Sequence, residues 1–155
     1  MRTLVTVATY NEIENLPQLV EAVWQFAPQA DVSIGSRYCA GGGTQGWPFQ
    51  RRAMSWAVNT YSRVLLGLKP NDTSGAFRCY RVALLKKLDF AAIKSRGYSF
   101  QEEILWRLKR LGARMTETPI VFADRERGQS KINKQEALSA LSVICRLGIT
   151  NWIGI

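Results

Sequence analysis

Short apolar strands alternate with amphipathic helices along this chain, and that alternation limits the fold more than any other feature. Residues 4–7 are β-branched and apolar, apolar side chains then recur at helical spacing from Leu16 to Trp24, and residues 31–35 form a second short strand. The pattern predicts a β–α–β unit with two parallel, paired strands. Because 155 residues are enough for one core of ordinary size, we expect a single α/β domain over residues 1–155.

The sequence continues this pattern beyond the first unit. Strands are predicted over residues 76–80 and 116–122, and helices over residues 82–88 and 100–111, the second of which stops at Gly112. A last amphipathic helix is predicted over residues 134–147. We therefore expect a sheet flanked by helices, with ligand-binding residues at the strand ends.

A Gly-rich loop at residues 39–47 precedes a predicted helix over residues 48–66. The apolar residues of this helix lie along one side: Phe49, Ala53, Ala57, Tyr61 and Val64. Two interpretations stay open, because an amphipathic helix can pack on a sheet or lie on a membrane surface. Trp47 and Trp56 favour the membrane surface, where tryptophan is enriched. Since no window reaches the length of uncharged apolar sequence that a span needs, any membrane contact is expected to be peripheral.

Charge and missing residue types restrict the chemistry. The chain has 21 Lys and Arg against 12 Asp and Glu, a net charge of +9, and residues 32–71 contain no acid. An anionic partner is therefore expected. The lack of histidine excludes Ser-His-Asp and Cys-His catalysis and most zinc sites. Three widely spaced cysteines without a CxxC pair predict neither a disulfide framework nor a thiolate metal site, and they favour a cytoplasmic location.

One loop offers the strongest local site for phosphate. Residues 125–131 place two arginines, a lysine and a serine around Gly128, and these groups bind phosphate oxygens well. The alternative is a solvated surface loop. The run Gly41-Gly42-Gly43-Thr44 lacks the spacing of a P-loop and is predicted to be a flexible hinge. No Asp-x-Asp pair is present, so the carboxylates that usually hold Mg²⁺ or Mn²⁺ at a diphosphate are absent.

Five motifs occur in an order that is hard to obtain by chance. They are Thr9-Tyr10-Asn11-Glu12, Ile34-Gly35-Ser36-Arg37-Tyr38, Asp72-Thr73-Ser74-Gly75-Ala76-Phe77-Arg78, Gly97-Tyr98-Ser99-Phe100-Gln101-Glu102 and Asp124-Arg125-x-x-Gly128-x-Ser130-Lys131. Together they resemble the dolichol-phosphate (polyprenol-phosphate) mannosyltransferases of glycosyltransferase family 2. The resemblance covers nearly the whole chain. It implies a GT-A fold, in which a Rossmann-like, mostly parallel sheet is flanked by helices.

The resemblance also implies roles for matching residues. The family uses GDP-mannose as donor, and its nucleotide contacts correspond to Tyr10 and Glu12. Its phosphate contacts correspond to Arg37, Arg125, Ser130 and Lys131, and its acceptor-side contacts to Asp72 and Ser74. A divalent cation, Mg²⁺ or Mn²⁺, assists the departure of GDP in the family, and the helix after Trp47 matches one that lies against the membrane. Because the attacking lipid phosphate is already an anion, no strong general base is required and no catalytic residue is assigned.

The chain departs from the family pattern before its second strand. Asp31-Val32 leads directly into Ser33-Ile34-Gly35, where the family has a long region with an Asp-Asp-x-Ser-x-Asp-Gly and an Asp-x-Asp motif. We interpret this as an internal deletion near residues 31–33. Two hypotheses stay open: a transferase that moves mannose from GDP-mannose to polyprenyl or dolichyl phosphate at the cytoplasmic face of a membrane, and a remnant that binds lipid phosphate without sugar transfer. Nucleic-acid binding rests on net charge alone, so no nucleic-acid partner is expected.

Overall fold

The computed structural model of the protein describes residues 3–6, 30–95, 97, 99–123 and 134–153. The strands are β1 (Thr3–Thr6), β2 (Val32–Ser36), β3 (Gly43–Gln45), β4 (Arg78–Arg81), β5 (Met115–Pro119) and β6 (Val121–Ala123). The helices are α1 (Phe49–Leu66), α2 (Val82–Leu85), α3 (Ser99–Arg110) and α4 (Lys134–Ile153), with a short 3₁₀ helix at Phe90–Ala92. The predicted first helix and the charged loop at residues 124–131 lie outside the described residues.

The main sheet has four strands in the order β1–β4–β2–β5. Strand β4 runs antiparallel to both of its neighbours, whereas β2 and β5 are parallel, so three of the four strands run in one direction. The predicted fold class is confirmed: this is an α/β chain whose sheet contains parallel elements, flanked by helices, with a C-terminal helix.

The predicted direct pairing of the first two strands is wrong. Strand β4 lies between β1 and β2, and Tyr80 faces Leu4 on one side and Val32 on the other. Cys79 and Tyr80 are buried, and a buried strand needs hydrogen-bond partners along both of its edges. The insertion of β4 between two parallel strands meets that need.

A second, two-stranded sheet pairs β3 with β6 in parallel. The predicted strand over residues 116–122 is therefore two strands, because the chain leaves the main sheet at Ile120 and begins a new pairing. The predicted glycine hinge is also wrong in part, since Gly43 pairs with Val121. At Gly42, a side chain would overlap the carbonyl oxygen of Ser36, so the close approach of the two backbone segments requires glycine there.

The core lies between the main sheet and three helices. Strands β2 and β4 contribute Val32, Ile34 and Tyr80, and α1, α3 and α4 contribute Leu66, Leu105, Leu108, Ile144 and Leu147. Helices α1 and α3 both pack against α4. Helix α4 extends further than predicted, to Ile153, and none of the described helices is long and apolar enough to cross a membrane.

Helix α1 starts after Pro48 and ends at Gly67, whose φ of 61° is left-handed, as a helix-terminating glycine allows. Its position is confirmed, and of the five apolar residues named along one side only Tyr61 packs against the core. The buried residues are Asn59, Ser62 and Leu66, whereas Phe49 and Val64 are 75% and 62% exposed. None of residues 49–58 is buried, so the first half of the helix projects from the fold.

Candidate functional site

The candidate site lies at the edge of the main sheet where the parallel strands β2 and β5 end. Arg37 directly follows β2, and the segment Asp72–Gly75 precedes β4, which runs the other way and therefore begins at the same edge. Ligand sites in open α/β sheets form at this edge because loops from different strands meet there.

A bidentate ion pair is the centre of the site. The Nε of Arg37 donates to Oδ2 of Asp72 at 2.7 Å, and its Nη2 donates to Oδ1 at 2.7 Å. The backbone N–H of Arg37 also donates to Oδ2, at 3.0 Å, and Nη2 reaches Oγ of Ser74 at 3.0 Å. Burial tends to lower the pKa of Arg37, but the hydrogen bonds and charge of Asp72 outweigh it and raise that pKa. The planar guanidinium is thus held in one orientation.

Asp72 is itself held from two sides. Its Oδ1 accepts a hydrogen bond from the backbone N–H of Gly75 at 2.9 Å. The carboxylate of Glu117, on β5, accepts from the backbone N–H groups of Asn71 and Asp72 at 2.8 Å and 3.0 Å. Sequence reasoning missed Glu117, although an acid within an otherwise neutral strand at the site edge was an available signal.

Helix α1 holds the same segment through polar side chains. The amide oxygen of Asn59 accepts from the backbone N–H groups of Thr73 and Ser74 at 2.9 Å and 3.0 Å, and from the Thr73 hydroxyl at 3.0 Å. The hydroxyls of Ser62 and Thr73 lie 2.6 Å apart. All three of Asn59, Ser62 and Thr73 are buried, so these bonds form away from water, where leaving them unmade is costly.

A second arginine contacts the same indole ring as the first. The guanidinium carbons of Arg37 and Arg51 lie 5.2 Å and 4.0 Å from the centre of the Trp47 ring. Trp47 meets Phe122 edge-to-face, with 5.5 Å between ring centres. The Nε1 of Trp47 and the hydroxyl of Tyr38 are buried and make no hydrogen bond within the described part of the chain. Two guanidinium groups at one indole ring and two such donors suit an oxyanion.

The segment is also connected to α3, where a carboxyl group with an altered pKa lies. Arg78 is buried and donates to the carbonyl oxygens of Thr73 and Gln101. Burial raises the pKa of Glu102 to about 7, and the charge of Asp72 adds to the rise, while Arg78 opposes it. Arg78 was not singled out from the sequence beyond its place in a motif.

Of the site residues predicted from the sequence, the structure brings three together: Arg37, Asp72 and Ser74. The others lie outside the described residues, and their roles stay predictions: Tyr10, Glu12, Arg125, Ser130 and Lys131. Asn59 was not among the site residues predicted from the sequence. Its role in the fold depends on contacts with a segment that follows the helix, which a helical pattern alone does not reveal.

The carboxylates of the described residues do not fit a divalent cation. Both oxygens of Asp72 are taken by Arg37 and Gly75, and Glu103 is bonded to Ser95 and Arg107. Over the described ranges, no group of three or more acid, cysteine or histidine side chains could hold a metal ion.

Comparison with known proteins finds relatives over most of the chain. It is 41% identical over 143 residues, 92% of its length, to an undecaprenyl-phosphate mannosyltransferase of Micrococcus luteus. It is 40% identical over 136 residues to a polyprenol monophosphomannose synthase of Mycolicibacterium smegmatis. The chain spans about half the length of these curated relatives, 57% and 50% respectively. No protein-family model matches it. The two relatives agree with the resemblance carried by the five motifs: over 92% and 88% of its length, this chain is similar to proteins named as an undecaprenyl-phosphate mannosyltransferase and a polyprenol monophosphomannose synthase.

Proposed function

We propose that this chain transfers mannose from GDP-mannose to a polyprenyl phosphate at the cytoplasmic face of a membrane, and that its described part forms the acceptor side. The observation that supports this most is the pair of guanidinium groups on Trp47, one of them fixed by Asp72. Both relatives carry polyprenyl-phosphate chemistry in their names. A phosphate monoester is the anion that two arginines and nearby N–H and O–H donors would bind.

In this proposal Arg37 and Arg51 bind the lipid phosphate. Asp72 accepts from Nε and Nη2 of Arg37, so the fork keeps its orientation while Nη1 makes no bond to a described residue. Arg51 brings the second positive charge, and Ser74 helps to hold Arg37. Arginine suits this task better than lysine because its planar fork matches two phosphate oxygens at once.

The projecting half of α1 is the proposed membrane contact. Phe49, Met54 and Trp56 are 75%, 43% and 62% exposed, and Arg51 and Arg52 are in the same stretch. Aromatic and apolar side chains enter the interfacial zone of a bilayer, while basic residues are drawn to anionic lipid headgroups. A helix bound in this way would bring Arg51 to the depth at which a lipid phosphate lies.

The proposed chemistry is a single displacement. An oxygen of the lipid phosphate attacks the anomeric carbon of mannose, the bond from that carbon to the GDP oxygen breaks, and GDP leaves with the electron pair. Tyr10 and Glu12 would contact the nucleotide, and Arg125, Ser130 and Lys131 would close over the phosphates. The attacking oxygen is already anionic, so the reaction needs no histidine. The proposal includes dependence on Mg²⁺ or Mn²⁺, with ligands from outside the described residues.

A second candidate is a binding protein without transfer activity. It is favoured by the lack of an Asp-x-Asp motif in the sequence and by the occupied carboxylates of the described site. Such a protein would hold polyprenyl phosphate at the membrane through the same arginines and would not bind the sugar donor.

Calorimetric titration of the folded chain with GDP-mannose, with and without Mn²⁺, separates the two candidates. Saturable binding that needs the metal supports the transferase, because donor binding is the step that the missing motifs serve in the family. Absence of donor binding, together with retained binding to vesicles that contain undecaprenyl phosphate, supports the binding protein. Loss of both would contradict both candidates.

A further inference from the structure

We propose that Asn59 is a positioning residue that couples the projecting helix α1 to Arg37, so that binding of lipid phosphate depends on a hydrogen-bond relay from the helix to the guanidinium. The proposal rests on the proposed role of Arg37 in phosphate binding. It adds a residue that touches neither the phosphate nor the membrane.

The relay starts at a single acceptor atom. The amide oxygen of Asn59 receives three hydrogen bonds, all from Thr73 and Ser74, at 2.9 to 3.0 Å. Asn59 is 3% exposed and Thr73 is fully buried, so water cannot replace these bonds without opening the fold. The backbone of this segment is therefore fixed relative to the helix at two successive residues.

The residues on either side of Thr73, Asp72 and Ser74, both bond to Arg37. Asp72, one residue before Thr73, accepts from Nε and Nη2 of Arg37, and Ser74 accepts from Nη2 as well. A shift of the segment by a few tenths of an ångström would lengthen these two 2.7 Å bonds and weaken the bidentate pair. Asn59 is thus connected to the guanidinium of Arg37 through one intervening segment. Residues of that segment bond to Asn59 on one side and to Arg37 on the other.

The position of Asn59 along α1 explains why the helix has a buried polar residue. It follows directly on residues 49–58, none of which is buried, and it is the first residue of α1 to enter the fold. An apolar residue there would leave the N–H groups of Thr73 and Ser74 without partners in a dry environment. A tilt of the projecting half of α1 would therefore move Asn59, and with it the segment of Thr73 and Ser74 to which it bonds.

A double-mutant cycle on vesicle binding tests the relay. The probes are phosphatidylcholine vesicles that contain undecaprenyl phosphate, and vesicles in which phosphatidylglycerol supplies the same charge. Asn59→Ala is expected to weaken binding to the first kind about tenfold and to leave binding to the second kind unchanged. Arg37→Lys, which keeps the charge beside Asp72 but loses the fork, is expected to weaken the first kind similarly. In the Arg37→Lys background, Asn59→Ala should add less than about twofold, because coupled residues are not additive.

The matched control is Asn151→Ala. Asn151, on α4, also uses its amide oxygen as an acceptor, from Trp106 and Lys109, but it makes no contact with the site segment. It should lower the unfolding free energy and leave the preference for undecaprenyl-phosphate vesicles unchanged. If Asn59→Ala does not fold, Asn59→Ser, which leaves a shorter side chain that reaches fewer donors, replaces it in the same cycle.

The outcomes separate this inference from the proposed function. If Arg37→Lys binds both kinds of vesicle as the wild type does, the phosphate site is refuted and the relay with it. If Arg37→Lys loses the preference but Asn59→Ala keeps it, or if the two effects add fully, the relay alone is refuted. An equal effect of Asn59→Ala and Asn151→Ala would reduce the role of Asn59 to general stability, which also refutes the relay.

Discussion

Glu102 should make the stability of this fold depend on pH near neutrality. Its side chain is 1% exposed in the first turn of α3, and its Oε2 has no hydrogen-bond partner among the described residues. Burial, with the charge of Asp72, raises its pKa from 4.5 to about 7, against the opposing effects of a backbone hydrogen bond and of Arg78. Between these two pKa values the folded chain holds a proton that the unfolded chain has lost.

The sign and size of the effect follow from that difference. A raised pKa in the folded state stabilises the fold fully below the unfolded value of 4.5, and this stability is lost as the pH rises through about 7. At about 1.4 kcal/mol for each pKa unit, the difference corresponds to at most about 3.5 kcal/mol. From about pH 5 to pH 8 the wild type should lose about 2 to 3 kcal/mol of unfolding free energy. The chain has no histidine, so the side chain that usually titrates in this range is absent.

The assay is urea unfolding at several pH values in this range, followed by the fluorescence of the five tryptophans. The amide of Glu102→Gln resembles the protonated carboxyl, so this variant should have a nearly constant unfolding free energy and exceed the wild type at about pH 8 by about 2 to 3 kcal/mol. Glu103→Gln is the matched control, because hydrogen bonds from Ser95 and Arg107 outweigh burial and lower the pKa of Glu103. It should be less stable but keep the wild-type dependence on pH. The same dependence on pH in Glu102→Gln and the wild type would show that Glu102 does not cause it.

Three further substitutions test the site and its surroundings. Arg51→Gln should weaken binding to undecaprenyl-phosphate vesicles several-fold more than Arg52→Gln, because Arg51 lies over Trp47, and equal losses would count against the two-arginine site. Trp56→Ser should reduce vesicle binding measured by flotation while the melting temperature stays constant, since the indole is 62% exposed; unchanged flotation would remove this residue from the membrane contact. Gly42→Ala should lower the unfolding free energy by about 2 kcal/mol, because its methyl group would overlap the carbonyl oxygen of Ser36; a neutral substitution in urea unfolding would contradict that packing.

The elements of the fold could largely be predicted from local patterns, whereas their arrangement could not. The helix at Phe49–Leu66 and the strand at Val32–Ser36 follow from periodicity and from the Pro and Gly residues that bound them. The position of β4 between β1 and β2 depends on a pairing across more than forty residues of sequence, for which neither strand carries a local signal.

The site was predictable to the same limited degree. The motifs identified Arg37, Asp72 and Ser74, but not that Asp72 holds Arg37 in a bidentate pair. The sequence left open whether the apolar side of α1 packs on the sheet or lies on a membrane surface, and it did not indicate which polar residues of the helix are buried. In the structure Asn59 is buried because its amide oxygen meets three donors of a distant segment, and contacts of that kind are fixed only by the tertiary fold.

In the proposed function, this chain transfers mannose to a polyprenyl phosphate at a membrane surface. The most direct measurement incubates the folded chain with radiolabelled GDP-mannose, Mn²⁺ and vesicles that contain undecaprenyl phosphate, and counts label in the extracted lipid. We expect labelled lipid in the wild-type reaction and a large decrease with Arg37→Lys. A folded wild-type chain that binds these vesicles and yields no labelled lipid would contradict the proposed transfer and favour the binding protein.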